Sequence, residues 1–143
     1  MLPDKLKKWF ITKRAWEIYV LLQNLSEAEL GLLSDLREQI DLAVDSSTLI
    51  LQSTWSLLNK RIAIRERYTF PKSQLKIESY SDALIESGDR VIIRADSAPH
   101  HERDYHRKLL ARFPHHLHDE NGRICSFSGD LEDFIKLTAP YLR

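Results

Sequence analysis

The sequence predicts an α+β fold in which N-terminal helices pack on a four- or five-stranded antiparallel meander sheet with a C-terminal helix. Three observations carry this expectation. Apolar residues recur at helical spacing up to about residue 45, then alternate with polar ones from about 48 to 95. Between the alternating runs stand turn residues in numbers too small for a crossover helix, which makes the strands antiparallel neighbours. An apolar segment opened by Asp130 then closes the chain in helical form.

Asp4 can cap a first helix, near 4 to 23, on which Leu6, Trp9, Phe10, Lys13, Trp16, Ile18, Val20, Leu21 and Leu22 roughly follow a 3.6-residue period. Ser26 followed by Glu29 reads as a capping box for a second helix near 27 to 45, with Leu30, Leu33, Leu36, Ile40 and Val44 on one face. The short join makes these two helices antiparallel. The period changes at Asp45-Ser46-Ser47. Thr48 to Leu57 and Arg61 to Phe70 read as strands joined at Asn59-Lys60, with Ile62 and Ile64 on one side and Arg61, Arg65 and Arg67 largely on the other. Pro71-Lys72-Ser73 turns the chain into the alternation Leu75, Ile77, Ser79, and Ser87-Gly88-Asp89 turns it into a strand Arg90 to Ala95. Residues 102 to 112 suit a short helix, Gly122 precedes a strand Arg123 to Phe127, and the last helix ends near Pro140. The chain reads as a single domain, 1–143, helical over residues 1–45 and sheet-containing over residues 46–143.

Composition narrows the class. Of 143 residues, 21 are Lys or Arg and 21 are Asp or Glu, so the formal charge is zero with histidine neutral. Successive segments alternate in sign, +3 over 1–25, −5 over 26–45, +4 over 46–81, −3 over 82–102, +3 over 103–118 and −2 over 119–143. A neutral total built this way argues against indiscriminate attraction to nucleic acid while leaving room for a local basic face. The lone Cys125 has no internal disulfide partner, and its apolar strand makes it a small buried hydrophobe. With no signal-peptide pattern and charges interrupting the apolar start, the expectation is a cytoplasmic protein with no membrane segment.

All six histidines, His100, His101, His106, His115, His116 and His118, fall within nineteen consecutive residues. Five belong to two motifs, Asp96-Ser97-Ala98-Pro99-His100-His101 and Phe113-Pro114-His115-His116-Leu117-His118. Proline before each pair fixes its own φ and biases the preceding residue to extended geometry, so each pair sits on a stiff corner. His106, outside both motifs, reads as an exposed residue.

These motifs are where the chain resembles a known family. Residues from about 61 to 140 resemble the TumE family of toxins from type II toxin–antitoxin systems. Its pattern is a β-meander whose last strand runs into Asp-Asn-Ala-Pro-His-His, followed by Phe-Pro-His-His-x-His, a strand and a C-terminal helix. Asp96, Ala98, Pro99, His100 and His101 match the first motif, with Ser97 in place of Asn. Phe113, Pro114, His115, His116 and His118 match the second. The resemblance implies a small toxin neutralised by a partner encoded beside it, typically a helix-turn-helix antitoxin; it does not fix the reaction.

Many toxins of this size act on RNA, and the residues suit that chemistry. Metal-independent RNA cleavage needs a base for the 2′-hydroxyl proton, an acid for the leaving 5′-oxygen, and cations for the phosphate. Histidine suits both proton transfers, each contributing typically 10²–10⁴-fold. The candidates are His100, His101, His115, His116 and His118, with Asp96 to orient an imidazole and Arg94, on the same strand face, to hold phosphate. Arg65, Arg67, Lys108 and Arg112 extend the phosphate surface. A second assignment makes Asp96, His100, His116 and His118 ligands of zinc or another divalent metal. A third is non-enzymatic: a toxin that binds and blocks a target, with the N-terminal helices serving the antitoxin or a homodimer. Trp9, Trp16 and Trp55 read as core or interface aromatics.

Overall fold

The computed structural model describes residues 2–30 and 38–142. Helix α1 spans Asp4–Leu30 and α2 spans Leu131–Thr138. Between them run β1 (Glu38–Val44), β2 (Thr48–Trp55), β3 (Lys60–Thr69), β4 (Lys76–Glu86), β5 (Arg90–Asp96), β6 (His116–His118) and β7 (Ile124–Ser126). The strands form one antiparallel sheet in sequence order, β1 to β7. The class is therefore α+β with a meander sheet, as the sequence predicts, but with seven described strands instead of four or five.

Strand alternation divides the sheet into two unlike faces. Leu49, Leu51 and Trp55 on β2, Ile62 and Ile64 on β3, and Leu84 and Ile93 on β4 and β5 point to the helix side and are buried. Ile11, Ala15, Ile18 and Leu22, spaced by four, three and four residues, present one stripe of α1 to them, and Leu131, Phe134 and Ile135 of α2 complete this core. Full burial of each large aliphatic side chain stabilises the fold by about 1.5–3 kcal/mol. Among the described residues the other face carries no helix. In register across it stand Thr48 opposite Arg67, Ile50 opposite Arg65, Arg65 opposite Ser81, Ser81 opposite Asp96, Arg94 opposite His118 and Asp96 opposite His116.

Several expected elements differ. The second helix is not formed where it can be seen: Glu38–Val44 is a strand, Ile40 and Val44 sit in it, and Asp45-Ser46-Ser47 is a hairpin turn. The Asp45 carboxylate makes that turn by accepting from the backbone N–H of Ser47 and of Thr48, both at 2.7 Å. The boundary drawn at residue 45 thus falls inside the sheet. Leu33 and Leu36 lie outside the described residues. The Ser26–Glu29 capping box is not formed either, because α1 runs on through residues 24 to 26, where no Gly or Pro breaks it and Leu25 and Ser26 are buried. Trp9 and Trp16 are 56% and 67% exposed, while Trp55 is fully buried; seven residues apart, the two outer tryptophans share one side of α1, away from its core stripe. Residues 102 to 112 form no helix. Asp104 Oδ1 accepts from the backbone N–H of His106 and Lys108, and Arg103 bridges Leu109, so a tight loop satisfies the backbone locally. The final helix stands as expected, with Asp130 accepting from Glu132 N–H at its start. Among the described residues no helix is long and apolar enough to cross a membrane.

Candidate functional site

The helix-free face gathers most of the sequence candidates. β6 is only three residues long, yet it places His116 and His118 on one side because strand side chains alternate. Both lie opposite β5, so Asp96 and Arg94 meet them directly. The loop leaving β5 then folds back, bringing the His100 ring to 5.7 Å and the His101 ring to 5.1 Å from that of His116, centroid to centroid. His101 also lies 5.5 Å from His118.

Asp96 is the hub. Its Oδ1 accepts from Ala98 N–H at 3.0 Å and stands 3.1 Å from His116 Nε2; its Oδ2 stands 3.2 Å from Arg94 Nε and 3.7 Å from His118 Nε2. The residue thus both shapes the turn after β5 and faces the imidazoles. Arg94 Nη2 donates to His118 Nε2 at 3.0 Å, which places the His118 ring proton on Nδ1. Burial, then the charges of Arg94 and His116, push His118 down to about 4. His101 is lowered too, first by burial and then by His100 and His116. Both are therefore neutral bases at neutral pH.

Beside this cluster runs a groove of about 550 Å³ lined by Arg65, Arg67, Arg94, Asp96, His100 and Tyr80, among others. Three guanidinium groups, a carboxylate and an exposed imidazole therefore share one cleft. Arg65 and Arg67 are brought to it by the alternation of β3, whose intervening Glu66 turns to the core.

Three candidates are placed elsewhere. His115 points to the opposite face from His116, where its ring stacks on Tyr80 and its Nδ1 hydrogen-bonds the Tyr80 hydroxyl at 2.8 Å. Gly129 packs on that ring so closely that a Cβ there would lie 2.7 Å from it. Lys108 and Arg112 are exposed on the 102–112 loop and do not line the groove. Cys125 is half-buried on β7 and its thiol is pushed up, first by burial and then by Asp119.

The sequence reading missed a second polar cluster under the sheet. Glu66, 2% exposed, takes a bidentate pair from Arg14 of α1, Nε to Oε1 and Nη2 to Oε2, both at 2.9 Å. Tyr68 donates to Glu66 Oε1 at 2.6 Å, and Asp82 lies buried nearby. The signal was present: Glu66 falls in phase with Ile62, Ile64 and Tyr68, at a position where alternation demands an apolar residue.

No family model matches the chain, and neither a curated protein nor a solved structure matches it.

Proposed function

We propose that the helix-free face cleaves RNA, and that the chain is the toxin of a prokaryotic toxin–antitoxin pair. The observation that carries the first half is the groove itself, where Arg65, Arg67 and Arg94 stand beside Asp96 and His100. Guanidinium groups spread along β3 and across to β5 suit successive phosphates of a single strand, and Arg binds each one in a forked geometry. At the groove's end, His100 and His101 are reachable from solvent, whereas His116 is buried. In the metal-free chain, His101, held neutral, suits the base that takes the 2′-hydroxyl proton, and His100 suits the acid that protonates the leaving 5′-oxygen. Asp96 and His116 form the floor that positions them.

The second half rests on the two Pro-His-His motifs and their likeness to the TumE family. On that reading the partner is a helix-turn-helix antitoxin, the setting is cytoplasmic, and α1 with its exposed Trp9 and Trp16 serves the antitoxin or a second copy.

The purified chain should cleave RNA and bind it less tightly as salt rises. Loss of cleavage in His100→Ala with binding retained, and loss of binding in Arg65→Ala combined with Arg67→Ala, would support the assignment. Cleavage unchanged in all of these variants would sink it. One observation favours metal chemistry at the same histidines: the unpartnered Nε2 of His116.

A further inference from the structure

The two imidazoles of the proposed relay, His100 and His101, share the end of the groove with a third, and a metal ion bound there would take the place of that relay. His100, His101 and His116 each offer a ring nitrogen, and the three ligand atoms lie within 4.8 Å of one another. His116 is the fixed member. Its side chain is fully buried, and its Nδ1 donates to the Pro114 carbonyl at 2.9 Å, since a carbonyl can only accept. In the neutral ring this leaves Nε2 as a bare lone pair. That atom has no hydrogen-bond partner, although Asp96 Oδ1 stands 3.1 Å away, off line. A lone pair set against a carboxylate oxygen is repulsive unless a proton or a metal ion lies between them, and the Nε2–Oδ1 line carries no hydrogen bond. Metal-binding histidines are held in just this manner, one ring nitrogen fixed by a carbonyl so that the other is aimed at the ion.

We propose that His100, His101 and His116 bind one divalent transition-metal ion of the zinc type, with its fourth position open to the arginine-lined groove. A tetrahedral ion with bonds of about 2.0–2.1 Å needs nitrogens about 3.3 Å apart. His100 and His101, on a loop and incompletely buried, reach that spacing by side-chain rotation around the fixed His116. The overlapping group Asp96, His116 and His118 also lies within 4.8 Å. Arg94 already engages it, with Nη2 3.0 Å from His118 Nε2 and Nε 3.2 Å from Asp96 Oδ2. A dication there would have to displace the guanidinium, so the three-histidine set is the better host. Three protein nitrogens with one vacant position are the ligand set of catalytic and not of structural zinc. The inference rests on this face being the site proposed above, but not on RNA being its substrate.

The test is a titration of the full chain, first stripped with chelator, using zinc and then cobalt(II) for its visible spectrum. One equivalent per chain and a tetrahedral cobalt spectrum are expected. His100→Ala and His101→Ala should each weaken binding about tenfold or more, and His106→Ala should not. His116→Ala tests the fixed ligand, and because that residue is buried its fold is checked by circular dichroism, the two loop variants standing in if it unfolds. Absence of saturable binding, or parent affinity in both His100→Ala and His101→Ala, would overturn the site. Zinc binding without RNA cleavage would leave the metal site standing and remove the ribonuclease reading. Undiminished cleavage in chelator with no zinc binding would do the reverse.

Discussion

Two clusters of carboxylates and cations occupy opposite faces of the same sheet, and they differ in how many lone pairs they leave uncommitted. Under the sheet, both oxygens of Glu66 are taken by Arg14 in a bidentate pair and one also accepts from Tyr68. Above it, Asp96 is shared among Ala98 N–H, Arg94, His116 and His118, with His100 and His101 crowding the same ring of atoms. The first arrangement is closed: it holds α1 to β3, with both Glu66 oxygens taken. The second is open, with titratable groups at the edge of a cleft. The same chemical types thus serve as a fastening in one place and a candidate reaction centre in the other, and what separates them is whether the facing nitrogens are committed to hydrogen bonds, as Arg14 is and His116 Nε2 is not, together with access to solvent.

If that contrast is right, the largest stability effect belongs to the closed cluster. Glu66→Ala should cost about 1.5–3 kcal/mol in denaturant unfolding, because the bidentate pair and the Tyr68 hydrogen bond are lost and half-buried Arg14 keeps only the partly exposed Glu17, 3.5 Å away. A loss below about 1 kcal/mol would mean that the pair fastens nothing. His100→Ala, on the exposed side of the open cluster, should leave unfolding within about 0.5 kcal/mol of the parent. In that variant RNA cleavage should fall by about 10²-fold or more. A variant that lost stability but not activity would exchange the roles of the two faces.

The open cluster was legible because it is written in two short motifs, with rare residues at fixed spacing and His116 and His118 alternating to one side. The closed cluster was only half legible. Glu66 breaks the apolar phase of β3, but its partner Arg14 is 52 positions away on a helix, and no local rule pairs them. The same limit explains β1. Ile40, Leu42 and Val44 alternate as a strand, yet Leu30, Leu33 and Leu36 ahead of them continue a helical period that Ile40 and Val44 also fit. What decides the matter is pairing with β2, Leu42 opposite Leu51 and Ala43 opposite Ile50, which is a tertiary fact. His115 shows the converse: its neighbour His116 shares the motif, but one residue of a strand reverses the face, and His115 ends against Tyr80 and Gly129.

A smaller effect sharpens the contrast on the open side. Arg65→Ala should weaken RNA binding about tenfold at low salt and flatten the slope of log K against log salt by about 0.7 for each single-strand phosphate that Arg65 neutralises. Arg14, equally cationic but committed to Glu66, neutralises none, so the slope should not change in Arg14→Lys. Equal slopes in Arg65→Ala and the parent would remove Arg65 from the phosphate surface.

The smallest effect tests whether the closed cluster is closed throughout, and it turns on Asp82. This carboxyl is 1% exposed, and its Oδ1 accepts no hydrogen bond. Burial pushes it well above the usual 3.8, the charge of Glu66 adds to this, and Arg14 opposes it without prevailing. The unfolded chain therefore releases this proton near 3.8, while the folded chain keeps it to higher pH. Its contribution to stability is fully present below that value and is lost as pH rises through the folded one. Asn holds the same shape and cannot ionise. Asp82→Asn should therefore be more stable than the parent at pH 7 to 8, by on the order of 1 kcal/mol, with the gap closing toward pH 4. Urea unfolding of both chains across that range measures it. If Asp82→Asn proved less stable at pH 8, the carboxylate would be a charge that Arg14 needs, and the cluster under the sheet would be a shared network like the one around Asp96.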